Sequence, residues 1–206
     1  MSVRITWLGH ASVKISSAST TLYIDPWKIG RTAQHADIVL LTHDHYDHYS
    51  EGDVKTVADK STHVVGPMSA SVITERIAPG KSLNLKDVSI QAIPAYNLSK
   101  AFHPKANGWV GYIVIIGGKK IYHTGDTDRI PEMKGIDVDV ALMPVGGTYT
   151  MDVREAGEAL KDIKTTFVIP IHYGDIVGSR KDAEKLAGLC SQEVRVLNPG
   201  EYLVLD

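Results

Sequence analysis

The chain has 206 residues, of which 43% are hydrophobic and 22% charged, enough apolar material for one full core and no Pro/Gly/Ser tract to divide it. A single domain over residues 1–206 is expected, and a formal net charge of -2 disfavours non-specific polyanion binding, so nucleic acid is not the expected partner. Cys190 is the sole cysteine, which excludes an internal disulfide, and residues 1–10 lack the basic and apolar regions of a signal peptide, so a cytoplasmic protein acting on a small molecule is expected.

In chain order, residues 3–7, 13–16 and 21–24 read as a β-meander, and the apolar, β-branched run 37–41 as a buried strand. Val64-Val65 is a further strand, and Pro67 at a first helical position with Gly80 beyond predicts a helix over 68–77. Strands follow at 88–93, 109–116 and 119–123, the last two joined by Gly117-Gly118 as a two-residue hairpin. The stretch 112–116 is the most apolar and is too short to span a bilayer. Runs at 138–143 and 166–171 read as strands around a helix over 152–164, which carries Val153, Ala156, Leu160 and Ile163 on one face. A last helix, capped by Ser179, carries Ala183, Leu186, Ala187 and Cys190 inward, before strands at 194–197 and 202–205. Cys190 is thus a core residue and no nucleophile. The pattern predicts two sheets packed face to face with helices outside.

Chemistry concentrates where strands stop. Directly after the strand at 37–41 comes His43-Asp44-His45-Tyr46-Asp47-His48, with three imidazoles and two carboxylates in six residues. These are the side chains that hold zinc and similar ions, and a rigid strand end gives them a base. Asp126 follows the strand at 119–123, and His172 follows the strand at 166–171. Alone, an Asp after a glycine is a turn residue and a His at a strand end faces solvent. Jointly, at the carboxyl-end rim where layered folds bind ligands, they point to metal.

Three segments carry a family resemblance: His43-x-His45-x-Asp47-His48, Gly125-Asp126-Thr127 and Pro170-Ile171-His172-Tyr173. Together they resemble the metallo-β-lactamase-fold metal-dependent hydrolases. Trp7 to Ser12, Ile24-Asp25-Pro26 and Pro144 to Tyr149 are similar to the branch that holds the ascorbate-6-phosphate lactonases and the N-acylphosphatidylethanolamine phospholipases D. The resemblance implies an α/β fold, a four-layer αββα sandwich of two mixed sheets flanked by helices, with the site at an open edge. It implies two divalent metal ions, zinc or else manganese, with His43 and His45 on the first, Asp47, His48 and His172 on the second, and Asp126 between them. One bridging carboxylate lets two cations sit roughly 3.5–4 Å apart.

The chain departs from the family at one ligand. Asn97 stands where the third histidine of the first metal is expected, and Asn is a poor zinc ligand. His103, six residues on, is expected to restore that imidazole or to lie close behind it. His10 is expected to touch substrate or to support a ligand, and Asn97 and Gly147 to touch substrate. Asp25 is structural, or else hydrogen-bonds a ligand. His35 and His63 read as surface residues and His123 as packed, while Lys100, Lys105, Arg129 and Arg180 are loop cations in reach of an anionic substrate.

The expected reaction is hydrolysis. Two cations lower the pKa of water from 15.7 toward roughly 7. Asp47 orients that water and takes its proton, and Gly146-Gly147 N–H groups approach developing negative charge. The expected bond is an ester, lactone or phosphoester of a small, anionic molecule. The alternatives are a phosphodiesterase or nuclease, a redox di-iron protein, and a non-catalytic metal-binding protein of the same fold.

Overall fold

The computed structural model describes residues 2–30 and 33–206. The first sheet is built from β1 (Val3–Gly9), β2 (Ser12–Ser16), β3 (Thr21–Ile24), β4 (Ile38–Leu40), β5 (His63–Gly66) and β6 (Glu75–Arg76). The second is built from β7 (Ser82–Leu85), β8 (Val88–Pro94), β9 (Val110–Ile116), β10 (Lys119–His123), β11 (Val140–Pro144), β12 (Phe167–Ile171) and β13 (Glu193–Val194). Strand β14 (Tyr202–Leu205) returns to pair antiparallel with β1, so the orders are β14-β1-β2-β3-β4-β5-β6 and β13-β12-β11-β10-β9-β8-β7. Each sheet has four antiparallel strands, β14-β1-β2-β3 in one and β10-β9-β8-β7 in the other, and is parallel over the rest, with the change of direction at β3/β4 and β10/β11. Three helices cover the outer faces: α1 (Glu51–Val57), α2 (Val153–Ala159) and α3 (Arg180–Leu186). This is the expected α/β sandwich.

Alternation along β4 shows how the layers arise. Ile38 and Leu40 face the core between the sheets, whereas Val39 and Leu41 join Val54 and Val57 of α1 on the outer face. A strand buried on both sides reads as an unbroken apolar run, the pattern found at 37–41. The sheets are also pinned to one another at the rim. Val110 N–H donates to Thr42 O (3.2 Å) and Tyr112 O–H to Leu41 O (2.7 Å). His172 N–H donates to His10 O (2.8 Å), and His123 Nε2 to Ala11 O (2.8 Å). All four lie beside the residues singled out as ligands.

The expected helix over 68–77 does not form. Residues 67–74 turn back, Val72 and Ile73 pack on the outer face of the first sheet, and β6 pairs parallel with β5. The spacing of Met68, Val72 and Ile73 suits a helix, but Ser69 and Ser71 favour turns, and Val72-Ile73-Thr74 is a β-branched run. Gly66 decides it: a Cβ there would lie 2.8 Å from Ile73 Cδ1 and 2.9 Å from Met68 Sδ, so the segment folds onto bare backbone. The outer layer is supplied by α1, unexpected from sequence because Gly52 and only two buried positions hide its period. Strand β7 is also new; its hairpin turns on Lys86 at φ 52°.

The last helix ends at Leu186, so Cys190 lies beyond it, half-buried, with its thiol donating to Leu186 O (3.4 Å). Burial pushes that thiol up, in keeping with a packing role. The expected strand at 194–197 shrinks to β13, and α2 stops at Ala159. Gly117-Gly118 forms the expected two-residue hairpin with φ 55° and 79°, the left-handed pair that such a turn requires. No helix among the described residues is long and apolar enough to cross a membrane.

Gly111 sets how closely β9 approaches the loop before Asp126, since a Cβ on it would sit 2.4 Å from Thr124 O. Gly111→Ala is expected to destabilise the protein by about 1–3 kcal/mol through overpacking. Denaturant unfolding measures this, and an unchanged midpoint would show that the loop yields freely.

Candidate metal centre

Every ligand expected from sequence arrives at one rim. His43 to His48 follow β4, Asp126 follows β10, His172 directly follows β12 and His103 lies in the loop after β8. Two donor groups share this rim, His43, His45 and His103 in one and His10, Asp47, His48 and His172 in the other, and a third set, His43, His48 and Asp126, overlaps both. Asp126 lies between them. Its Oδ2 is 3.3 Å from His103 Nε2 and 3.0 Å from His172 Nε2, and its Oδ1 is 3.2 Å from His48 Nε2.

The donors fit metal ions. His43 Nε2 and His45 Nδ1 are 3.2 Å apart. Two nitrogens each roughly 2.0–2.1 Å from one tetrahedral ion would be about 3.3 Å apart. Six buried side-chain atoms of this cluster have no hydrogen-bond partner: His10 Nδ1, His48 Nε2, His103 Nε2, Asp126 Oδ1 and both ring nitrogens of His172. The only other such atom among the described residues is Tyr122 O–H. Orphaned buried polar atoms cost about 1–3 kcal/mol each, so so dense a set calls for a cation at its centre.

Groups behind the ligands select the ring nitrogen each presents. Asp25 Oδ2 accepts from His48 Nδ1 (2.7 Å), which leaves Nε2 facing Asp126. The same carboxylate accepts from Thr42 N–H (2.8 Å) and Thr42 O–H (2.6 Å), and Thr42 Oγ1 in turn accepts from His43 Nδ1 (2.9 Å). His43 therefore presents Nε2. Asp25 thus takes the ligand-supporting alternative, as metal-site histidines generally require. Its φ of 47°, with His10 at 49° and His172 at 58°, places three strained backbones around the cluster.

Asn97 explains the departure from the family pattern. Its Oδ1 accepts both the His103 backbone N–H (3.0 Å) and His103 Nδ1–H (3.1 Å), while its Nδ2 donates to Asp128 Oδ1 (3.0 Å) and Tyr149 O (3.0 Å). Its amide is fully used, and Oδ1 holds His103 with Nε2 toward Asp126. The expected substrate contact by Asn97 is therefore corrected: it is buried and fully engaged. Gly147 is corrected likewise, because its N–H donates to Met151 O (3.1 Å) and it has no free donor to offer. Gly146 packs against the ligand turn instead, where a Cβ would meet His172 O at 2.4 Å. His10 is buried and donates from Nε2 to Asp47 Oδ2 (2.9 Å), so it holds Asp47, which fits the supporting alternative.

Burial pushes His43 well below its usual range and His45 and His10 below theirs, so these imidazoles are neutral donors at neutral pH. Burial acts the same way on His48, but Asp126 and Asp25 outweigh it and hold that group well above its usual range. Burial works against the Asp126 anion, but His172 and His48 prevail and hold it well below the carboxylate range.

The surrounding residues fall as expected in part. His123 is packed, with Nε2 on Ala11 O and Nδ1 accepting Gly125 N–H (3.2 Å), and His35 and His63 form surface pairs with Asp59 and Glu75. The loop cations pair away from the centre: Lys100 with Asp128, Lys105 with Glu132, Arg129 with Asp162, and Arg180 with Glu184. Sequence reasoning missed Trp109, whose ring packs on His43, His45 and His103 at centroid distances of 5.1, 4.7 and 5.5 Å. It also missed the mouth of the site, a cavity of about 390 Å³ lined by Asp44, Tyr46, Phe102, Tyr149 and Ile176 beside the ligands. Only proximity in the folded chain singles these residues out.

Two sheets that bury a His/Asp cluster of this kind at their shared edge define a metallohydrolase of the metallo-β-lactamase type. The beta-lactamase superfamily domain model matches residues 4–172, and the chain belongs to that family. A UPF0173 metal-dependent hydrolase from Pyrococcus furiosus is 34% identical, over 98% of this chain and 100% of the relative. The crystal structure of a putative metal-dependent hydrolase from Parabacteroides distasonis matches with a TM-score of 0.82 at 29% identity, over 93% of this chain and 90% of the other. Igni18, a novel metallo hydrolase from Ignicoccus hospitalis, matches with a TM-score of 0.80 at 25% identity, over 100% and 99%. The protein is a metal-dependent hydrolase.

Asp25→Asn removes the charge that holds His48 and is expected to weaken metal binding about 10- to 100-fold. Competition against a chromophoric chelator measures this, and unchanged affinity would remove Asp25 from the support of the site.

Proposed function

We propose that the protein hydrolyses an ester, lactone or phosphoester of a small molecule, using two divalent ions, with zinc as the native metal. The observation that carries this reading is Asp126, which stands within 3.3 Å of ligands from both donor groups. His43, His45 and His103 would hold the first ion, Asp47, His48 and His172 the second, and Asp126 both. A set dominated by imidazole favours zinc over an oxygen-preferring ion. Ions held there would supply Lewis acidity, which would bring water to a reactive state near neutral pH and polarise the oxygen of the bond to be cleaved.

The protein's own groups do the rest. Asp47 lines the cavity and is bonded on Oδ2 to His10, so it is held in place to orient the attacking water and accept its proton. His10 is in turn locked, since its backbone O accepts from both Trp7 Nε1 (2.9 Å) and His172 N–H (2.8 Å). The cavity is at the small end of the range for small-molecule sites, which supports a small substrate over a polymer. The anionic substrate expected from loop cations loses its support, because those cations are paired elsewhere. The lone Cys190 supports a reducing, cytoplasmic setting.

Asp47→Ala is expected to lower turnover by about 10²–10⁴-fold while circular dichroism stays native. Normal turnover in that folded variant would remove Asp47 from the mechanism. Elemental analysis is expected to find two ions per chain, and chelation to abolish turnover and lower Tm, since an ion that binds only the folded state stabilises it. A single ion in a fully active protein would defeat the bridging role of Asp126.

A further inference from the structure

The wall of the active-site cavity narrows the substrate class. Besides the His/Asp cluster it is formed by Tyr46, Phe102, Tyr149 and Ile176, and its only charged residue that belongs to neither donor group nor to their bridge is Asp44, an exposed acid. Among the described residues no Lys or Arg lines it. Lys100, the cation in the loop that carries Phe102, points away to Asp128 and Glu155. Lys28, near the rim residue Trp27, pairs with Asp175 (2.6 Å) and lines a different hollow.

The aromatic side of this cavity is built rather than incidental. Phe102 and Tyr149 meet edge to face with ring centroids 4.7 Å apart, although Phe102 is 47% exposed. Each ring is tied to the ligand shell. Phe102 directly precedes His103, and the Tyr149 carbonyl accepts from Asn97, the residue that holds His103. Tyr46 lies between ligands His45 and Asp47 and is 68% exposed. Exposed aromatic rings held in place at the mouth of a buried polar centre offer apolar contact area and no positive charge.

Resting on the hydrolytic reading above, we propose that the substrate is an uncharged carboxylic ester or lactone whose apolar or aromatic group packs against Phe102 and Tyr149, its carbonyl directed at the His/Asp cluster. Water adds through oxygen to the acyl carbon, and the acyl C–O bond breaks with its electron pair on the alcohol oxygen. One water proton ends on that alcohol, and the other is released as the carboxylate forms. The substrate carries no anion away from the reacting bond, because no side chain on the cavity wall would neutralise one and Asp44 would repel it.

The test uses the metal-loaded protein and three p-nitrophenyl substrates: the butyrate, the hemisuccinate and bis(p-nitrophenyl) phosphate. The first two share the reacting bond and differ in a tail carboxylate. The butyrate is expected to exceed both others in kcat/KM by at least about tenfold. Phe102→Ala is expected to raise KM for the butyrate about tenfold with little change in kcat. Asp44→Lys, at an exposed position on the cavity wall, is expected to narrow the gap between butyrate and hemisuccinate while circular dichroism stays native. Equal or better turnover of the hemisuccinate or the phosphodiester would overturn the proposal and leave the hydrolytic reading standing. If no substrate shows chelator-sensitive turnover, the hydrolytic reading itself fails and the proposal falls with it.

Discussion

Nitrogen and oxygen lone pairs buried face to face govern this molecule. Imidazoles from four loops and two carboxylates converge at the inner end of one cavity, and several of their ring nitrogens and oxygens sit 3.0–3.3 Å apart. Such a cluster repels itself unless positive charge lies inside it. Much of the surrounding structure exists to make that arrangement tolerable. The Asp25 carboxylate, the Thr42 hydroxyl and the Asn97 amide each take the far side of a ligand ring. The four cross-sheet hydrogen bonds at the rim then keep both halves of the cluster in register.

The two sheets solve the same problem twice. Each runs antiparallel and then turns parallel, and each sends an acid from the end of the strand at that switch, Asp25 after β3 and Asp126 after β10. Asp126 reaches into the donor cluster, whereas Asp25 is withdrawn behind it and orients His48. Placing ligands at strand ends leaves the β-layers free to pack as an ordinary core, and places the chemistry on an edge that substrate can reach.

Aromatic residues divide the surroundings of the site into a dry wall and a mouth. Trp109 packs under the first donor group and shields it, while Phe102, Tyr149 and Tyr46 frame the opening. Because Asn97 bonds both His103 and the Tyr149 carbonyl, the shape of the opening and the position of a ligand depend on one amide.

The sequence by itself determined the two-sheet core and the imidazole- and acid-rich segments that gather at its rim. Runs such as 37–41 have a period that only a buried strand satisfies, and six consecutive residues carrying three imidazoles and two acids have few other uses. Local signals were weaker where packing overrode them. The segment 68–77 has helical spacing, yet it lies as a turn and a short edge strand because Gly66 offers bare backbone, while Gly52 masks the real helix α1. Only the tertiary structure decided what supports each ligand. Asn97 reads as a missing histidine until its amide is seen to hold His103, and Gly147 reads as a free donor until its N–H is seen to bond Met151. The reason is physical: ligand identity is a property of residue type, whereas hydrogen-bond partners and cavity walls come from segments distant in sequence that meet only when both sheets close.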